Sequence, residues 1–257
     1  MPLSTGIYYS ISERGNPGTP SLVLLHGAGG SHMSWPAELR RLPGWNVLAV
    51  DMPGHGRSEG LGQRSIARYA SSLLTFLDER GIHRAILVGQ AMGGAIALQT
   101  ALERPLLVAG LALIASGAYL GLPPDLLENA SSPLTFALAI KQFQGLALCA
   151  DASPDLVEQV TRLLRETRPG VLACDFQACA DFDLRETVER IACPTWVSVG
   201  SEDRFTPPTY SRYLAGKLPA ASLNVISGAG HMAALEHPTR IAAGLEKFLA
   251  ENFKLPA

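Results

Sequence analysis

The residues best suited to chemistry lie in three places. One is a glycine-framed turn, Gly89-Gln90-Ala91-Met92-Gly93-Gly94. The second is an acid, Asp203, within Ser201-Glu202-Asp203-Arg204-Phe205-Thr206. The third is a histidine, His231, just after Gly228-Ala229-Gly230. The turn follows an apolar run, Arg84 to Val88, and precedes a helix-forming run, Ala95 to Leu102. A G-x-S-x-G turn between strand and helix holds its central residue on strained backbone, with the side chain exposed above the sheet. Here that position carries a methyl, Ala91, in place of a hydroxyl. An acid after a strand can orient an imidazole; Asp203 is also well placed to cap a helix expected at about 207–217. His231 sits where a Gly-Ala-Gly turn would return it over the sheet, or it is an ordinary loop histidine.

Two further polar clusters read differently. His26-Gly27-Ala28-Gly29-Gly30 allows a tight turn that presents backbone N–H groups. It is not GxGxxG and no Lys-Ser/Thr follows, so nucleotide binding is not indicated. The stretch Asp51 to Gly60 is rich in Pro and Gly and holds His55. It reads as a structural loop, because Asp is a good turn residue and His55 has no evident orienting partner. His237 lies beside a helix start and reads as structural.

These residues need elements to position them. Short apolar runs at 21–27, 46–50, 84–89, 107–115, 195–200 and 222–227 end in Gly or polar residues. Near-continuous apolar strands mark a parallel sheet buried on both faces. Helical spacing of Ile66, Tyr69, Leu73, Phe76 and Leu77, with Gly81 as a stop, separates two of them. A last helix carries Ile241, Leu245, Phe248 and Leu249. Alternating strands and helices predict an α/β class, a doubly wound and mostly parallel sheet. The alternation breaks between about Tyr119 and Arg190. Helix signals there include Ser153 before Pro154, and Asp183 with Glu186 three residues on. This stretch reads as a helical insertion over the sheet.

Bulk properties set outer bounds. The chain has 257 residues, 47% hydrophobic and 17% charged, with a net charge of −2. That describes a globular protein with a sizeable core. No basic stripe points to nucleic acid. The start lacks a basic segment followed by an apolar one, so no signal peptide is expected, and the cytoplasm is the expected location. Leu106 to Leu122 is apolar but short for a membrane span and broken by glycines, so a buried strand is expected there. Cys149, Cys174, Cys179 and Cys193 match no zinc spacing and read as free thiols. No metal or organic cofactor is implied, and the oligomeric state is open.

Acid and histidine follow the elbow in the chain order elbow, Asp, His, each at a strand end. With "HGAGG", "DMPGHGRS", "GQAMGG", "FDLRETVERIACPTWVSVGSEDRFTPP" and "GAGHMAALEHP", the chain resembles the α/β-hydrolase superfamily, in its serine branch, over nearly all its length. The resemblance implies a core at 1–118 and 191–257 and a helical cap at 119–190. It implies that Ala91 occupies the nucleophile position and that Asp203 orients His231, the general base and then acid. The N–H groups of Ala28 and Met92 would form the oxyanion hole. The cap would form an acyl pocket, lined by Phe136, Phe143 and Leu146. The implied partner is a small molecule with an apolar acyl part. Ester, lactone, thioester and C–C bond hydrolysis all stay open; an esterase for a carrier-linked acyl ester is one specific form.

Alanine cannot attack a carbonyl, and loss of a triad nucleophile can lower kcat about 10⁶-fold. Three explanations compete. Ala91 is an engineered replacement of serine that traps substrate, leaving an inactive hydrolase. Or the chain is a natural binding protein for a small apolar ligand. Or His231 and Asp203 carry out cofactor-free proton transfer, as in lyases or oxygenases of this fold. The first agrees best with an otherwise intact site.

Overall fold

The computed structural model describes residues 3–16 and 18–253. Its strands are β1 (Leu3–Ser4), β2 (Ile7–Glu13), β3 (Ser21–Leu25), β4 (Asn46–Val50), β5 (Ala85–Gln90), β6 (Val108–Ile114), β7 (Thr195–Gly200) and β8 (Ala221–Ile226). They form one sheet in the order β1-β2-β4-β3-β5-β6-β7-β8. Pairing is parallel from β4 to β8 and antiparallel at β1–β2 and β2–β4. The fold is thus an α/β, mostly parallel sheet, as its apolar runs predict. Among the described residues no helix is long and apolar enough to cross a membrane, and Leu106–Leu122 contains the buried β6.

The helices are α1 (Ala37–Arg40), α2 (Ile66–Glu79), α3 (Met92–Glu103), α4 (Pro124–Ala130), α5 (Phe136–Ala147), α6 (Pro154–Glu166), α7 (Pro169–Ala180), α8 (Pro208–Lys217), α9 (Ala233–Glu236) and α10 (Pro238–Asn252). Both faces of the sheet are covered. Val23, Leu25, Leu87 and Leu113 pack on one side with α2 and α3. Their neighbours Leu22, Leu24, Val88 and Ala112 pack on the other with α1 and α10. That period-2 split of an unbroken apolar run is what a doubly covered strand requires. Each Leu so buried contributes roughly 1.5–3 kcal/mol.

A third apolar cluster belongs to α4–α7. Leu126, Ile140, Phe143, Leu164 and Phe176 pack together and against Phe205 of the β7–α8 loop. Ser153 caps α6, its side chain accepting from the Leu156 N–H. The helix start expected at Asp183 does not form. The Asp183 carboxylate accepts from the Arg185 N–H at 3.0 Å and pairs with the Arg185 guanidinium. With its acceptor used in a local turn, the chain makes only a 3₁₀ turn at Val188–Arg190.

Candidate active site

The polar loops gather beyond the carboxyl ends of the parallel strands, where ligands bind in open α/β sheets. The β5–α3 turn is the tightest. Ala91 stands at φ 49° and ψ −114°, a conformation that L-residues seldom adopt. Its surroundings hold it there. The Ala91 N–H donates to the Ile114 carbonyl at 3.0 Å, and its carbonyl accepts from the Ser116 hydroxyl at 2.9 Å. Gly93 has no substitute, since a Cβ there would overlap the Leu25 carbonyl. A Cβ on Gly27 would lie 3.5 Å from that of Ala91, so the loop after β3 faces the elbow directly.

His231 and Asp203, at 4% and 3% exposure, meet from the loops after β8 and β7. His231 Nδ1 lies 3.0 Å from Asp203 Oδ2 and 3.1 Å from Oδ1. A carboxylate only accepts, so Nδ1 carries the proton and Nε2 is left as a base. Asp203 also accepts from the N–H groups of Phe205 (2.9 Å) and Thr206 (2.8 Å) and from the Thr206 hydroxyl (2.8 Å). It caps no helix: α8 starts after Pro207, with no side-chain cap. Burial opposes the Asp203 charge, but His231 and the Thr206 donors outweigh it and hold the carboxyl below its usual range. The His231 carbonyl accepts from Gln90 Nε2 at 3.2 Å. The Gly230 N–H donates to the Glu236 carboxylate at 2.7 Å.

Ala91, His231, Ala28 and Met92 line one cleft, with about 740 Å³ of space that is partly open to solvent. Among the described residues, the N–H groups of Ala28 and Met92 have no acceptor. The cleft walls include Leu120, Phe143, Leu164, Phe176 and Phe205, with no Lys, Arg, Asp or Glu among the lining residues. Of the three cap residues expected there, only Phe143 lines it. Leu146 borders a separate surface groove beside Pro123 and Gln142. Phe136, at the start of α5, packs on the helical cluster instead. Helical periodicity shows which face of α5 is apolar but not which end reaches the cleft.

Asp51 and His55 line no part of this cleft, yet one expectation for them fails. His55 does have a partner: its Nε2 lies 2.7 Å from Asp175 Oδ2, and both side chains are fully buried. Asp175 comes from α7, 120 positions away, which is why no local pattern shows the pair. Its signal in the sequence is a lone acid inside the apolar run Val171 to Ala180. Asp51 accepts from the His32 ring at 2.9 Å and from the Arg57 N–H at 2.9 Å, a loop clamp. His237 sits at the start of α10. Gln90 and Thr206 also line the cleft, and no local sequence pattern marks them as site residues, because only the folded loops bring them there.

A family model for the α/β hydrolase fold matches residues 20–238. The chain belongs to that family. A pimeloyl-[acyl-carrier protein] methyl ester esterase of Neisseria meningitidis is 30% identical over 241 residues, covering 89% of this chain and 92% of the relative. A putative carbamate hydrolase of Caulobacter sp. strain K31 is 27% identical over 263 residues, covering 95% and 96%. A solved hydrolase from Pseudomonas aeruginosa PA01 superposes with a TM-score of 0.84 at 28% identity, covering 95% and 94%. Within the α/β-hydrolase family this chain thus resembles proteins named as a methyl ester esterase, a putative carbamate hydrolase and a hydrolase.

Proposed function

We propose that this chain carries the site of a serine-type ester hydrolase for an apolar acyl group, with Ala91 leaving it short of its nucleophile. The observation that supports this most is the His231–Asp203 pair in one cleft with a strained elbow and two free N–H donors. On this reading, residues 119–190 act as the cap that supplies the apolar wall.

With serine at position 91, the steps follow from these groups. His231 Nε2 takes the hydroxyl proton as the oxygen attacks the carbonyl carbon. The tetrahedral oxyanion is held by the N–H groups of Ala28 and Met92. His231 returns the proton to the leaving alcohol, and water then attacks the acyl-enzyme by the same route. One donor of this kind is typically worth about 3 kcal/mol. Asp203 keeps the imidazole in the one tautomer that can act. Alanine at position 91 removes the attack and leaves binding.

The lining favours a neutral, apolar acyl part, because an anionic one would lose its hydration with no cation to meet it. Ester, thioester and lactone substrates all meet that condition. A carrier-linked methyl ester, as named for the Neisseria relative, is one specific form. The Ala91 methyl itself favours a second reading: a binding protein that holds such a ligand without turnover.

The test is Ala91→Ser assayed on short and medium p-nitrophenyl esters, thioesters and lactones. Fast turnover with a chain-length optimum supports the hydrolase. No turnover on any of them, with tight binding of the same ligands by the unaltered chain, overturns it in favour of the binding protein.

A further inference from the structure

The loop that carries Ala28 is held from the helical layer above it. Gly29 donates its N–H to Asp175 Oδ2 at 2.8 Å, and its carbonyl accepts from the Thr167 hydroxyl at 2.7 Å. Asp175 belongs to α7 and Thr167 ends α6. Asp175 cannot drift, because Tyr69 OH (2.5 Å) and His55 Nε2 (2.7 Å) bind its carboxylate from the core. Gly29 has φ +65°, and Leu172 and Leu164 fill the space beside its Cα.

Peptide planarity turns these contacts into an aiming device. In a trans peptide the N–H points opposite to the C=O of the same unit. The Ala28 N–H shares its unit with the Gly27 carbonyl. That carbonyl accepts from His26 Nδ1 at 2.8 Å and from the Gly30 N–H at 3.1 Å. The Gly30 N–H in turn shares its unit with the Gly29 carbonyl, which Thr167 holds. The unit on the other side of Ala28 ends in the Gly29 N–H, which Asp175 holds. Both planes flanking Ala28 are therefore set by hydrogen bonds, and two of the side chains that make them come from the helical layer.

We propose that Asp175 and Thr167 are positioning residues that aim the Ala28 N–H into the cleft. The helical layer then completes the oxyanion site as well as walling the acyl pocket. This inference rests on reading Ala28 as a transition-state donor.

The experiment compares Asp175→Asn and Thr167→Val in two settings. In the unaltered chain, ¹H–¹⁵N spectra follow the amides of Ala28, Gly29, Gly30 and Met92. The Ala28 signal should move in both variants while Met92 stays in place. In the Ala91→Ser enzyme, each variant should lower kcat about tenfold to a hundredfold with KM within about twofold, since full loss of a donor costs about 10²–10³. A purely structural role would lower the melting temperature and leave kcat of the folded protein unchanged, which overturns the proposal. An unmoved Ala28 signal overturns it as well. If Ala91→Ser turns over nothing, the catalytic reading fails, and the spectra alone decide the positioning. If Asp175→Asn does not fold, Thr167→Val decides.

Discussion

Asp203 and His231 stand 28 positions apart and meet at 3.0 Å, with both carboxylate oxygens of the acid facing Nδ1. The pair needs both the negative charge and the acceptor. Asp203→Asn keeps the shape but offers an amide that favours the wrong tautomer. In the Ala91→Ser enzyme it should cost about 10⁴ in kcat, by analogy with the same change in serine proteases. Steady-state kinetics near neutral pH check this. Near-normal turnover would reduce Asp203 to a loop clamp for Phe205 and Thr206.

The strain at Ala91 has a price measurable without any substrate. A non-glycine residue in so sparse a region costs about 1–3 kcal/mol. Glycine relieves that, but its extra unfolded-state freedom returns roughly 0.5–1 kcal/mol. Ala91→Gly should therefore stabilise the chain by about 1 kcal/mol in urea unfolding. A destabilised Ala91→Gly protein would mean that the turn is not strained at this residue.

His26 and His55 should titrate in opposite directions although their rings lie 4.7 Å apart. Burial, and then the charge of His55, lower His26 from 6.5 to about 4. Burial opposes charge on His55 as well, but Asp175 outweighs it and raises His55 above 6.5. Its Nδ1 also faces the Pro53 carbonyl at 3.2 Å, so both ring nitrogens meet acceptors. The signs follow from linkage. The His26 contribution is complete above pH 6.5 and is lost as pH falls toward 4. The His55 contribution is complete below pH 6.5 and is lost as pH rises through its raised value. Ring-proton NMR titration checks both. Two ordinary midpoints near 6.5 would contradict the buried arrangement.

Much of this was legible from local pattern. The apolar runs locate β3 to β7 within a residue or two, because a strand buried on both faces leaves an unbroken apolar signature; β8, at the sheet edge with Leu223 and Val225 exposed, is located as closely by its own run. Strand ends then point to the loops that hold Ala91, Asp203 and His231. Contacts made only by the fold were not legible. His55 finds Asp175 from a distant helix, and Asp183 spends its carboxylate on Arg185 instead of starting one. Phe143 and Leu146 share a helix, yet only Phe143 reaches the cleft. Periodicity fixes a face, while register along the helix depends on packing.

Residue 91 occupies the place of a nucleophile on the proposed reading, and covalent labelling tests that without any substrate. The most direct measurement treats Ala91→Ser, and the unaltered chain beside it, with an alkyl fluorophosphonate and weighs both intact proteins. Serine attack on phosphorus expels fluoride and leaves a stable adduct. One adduct per chain is expected, mapped to residue 91, absent from the unaltered protein and suppressed when His231→Ala is added. An unmodified Ala91→Ser protein, or an adduct mapped elsewhere, would contradict it.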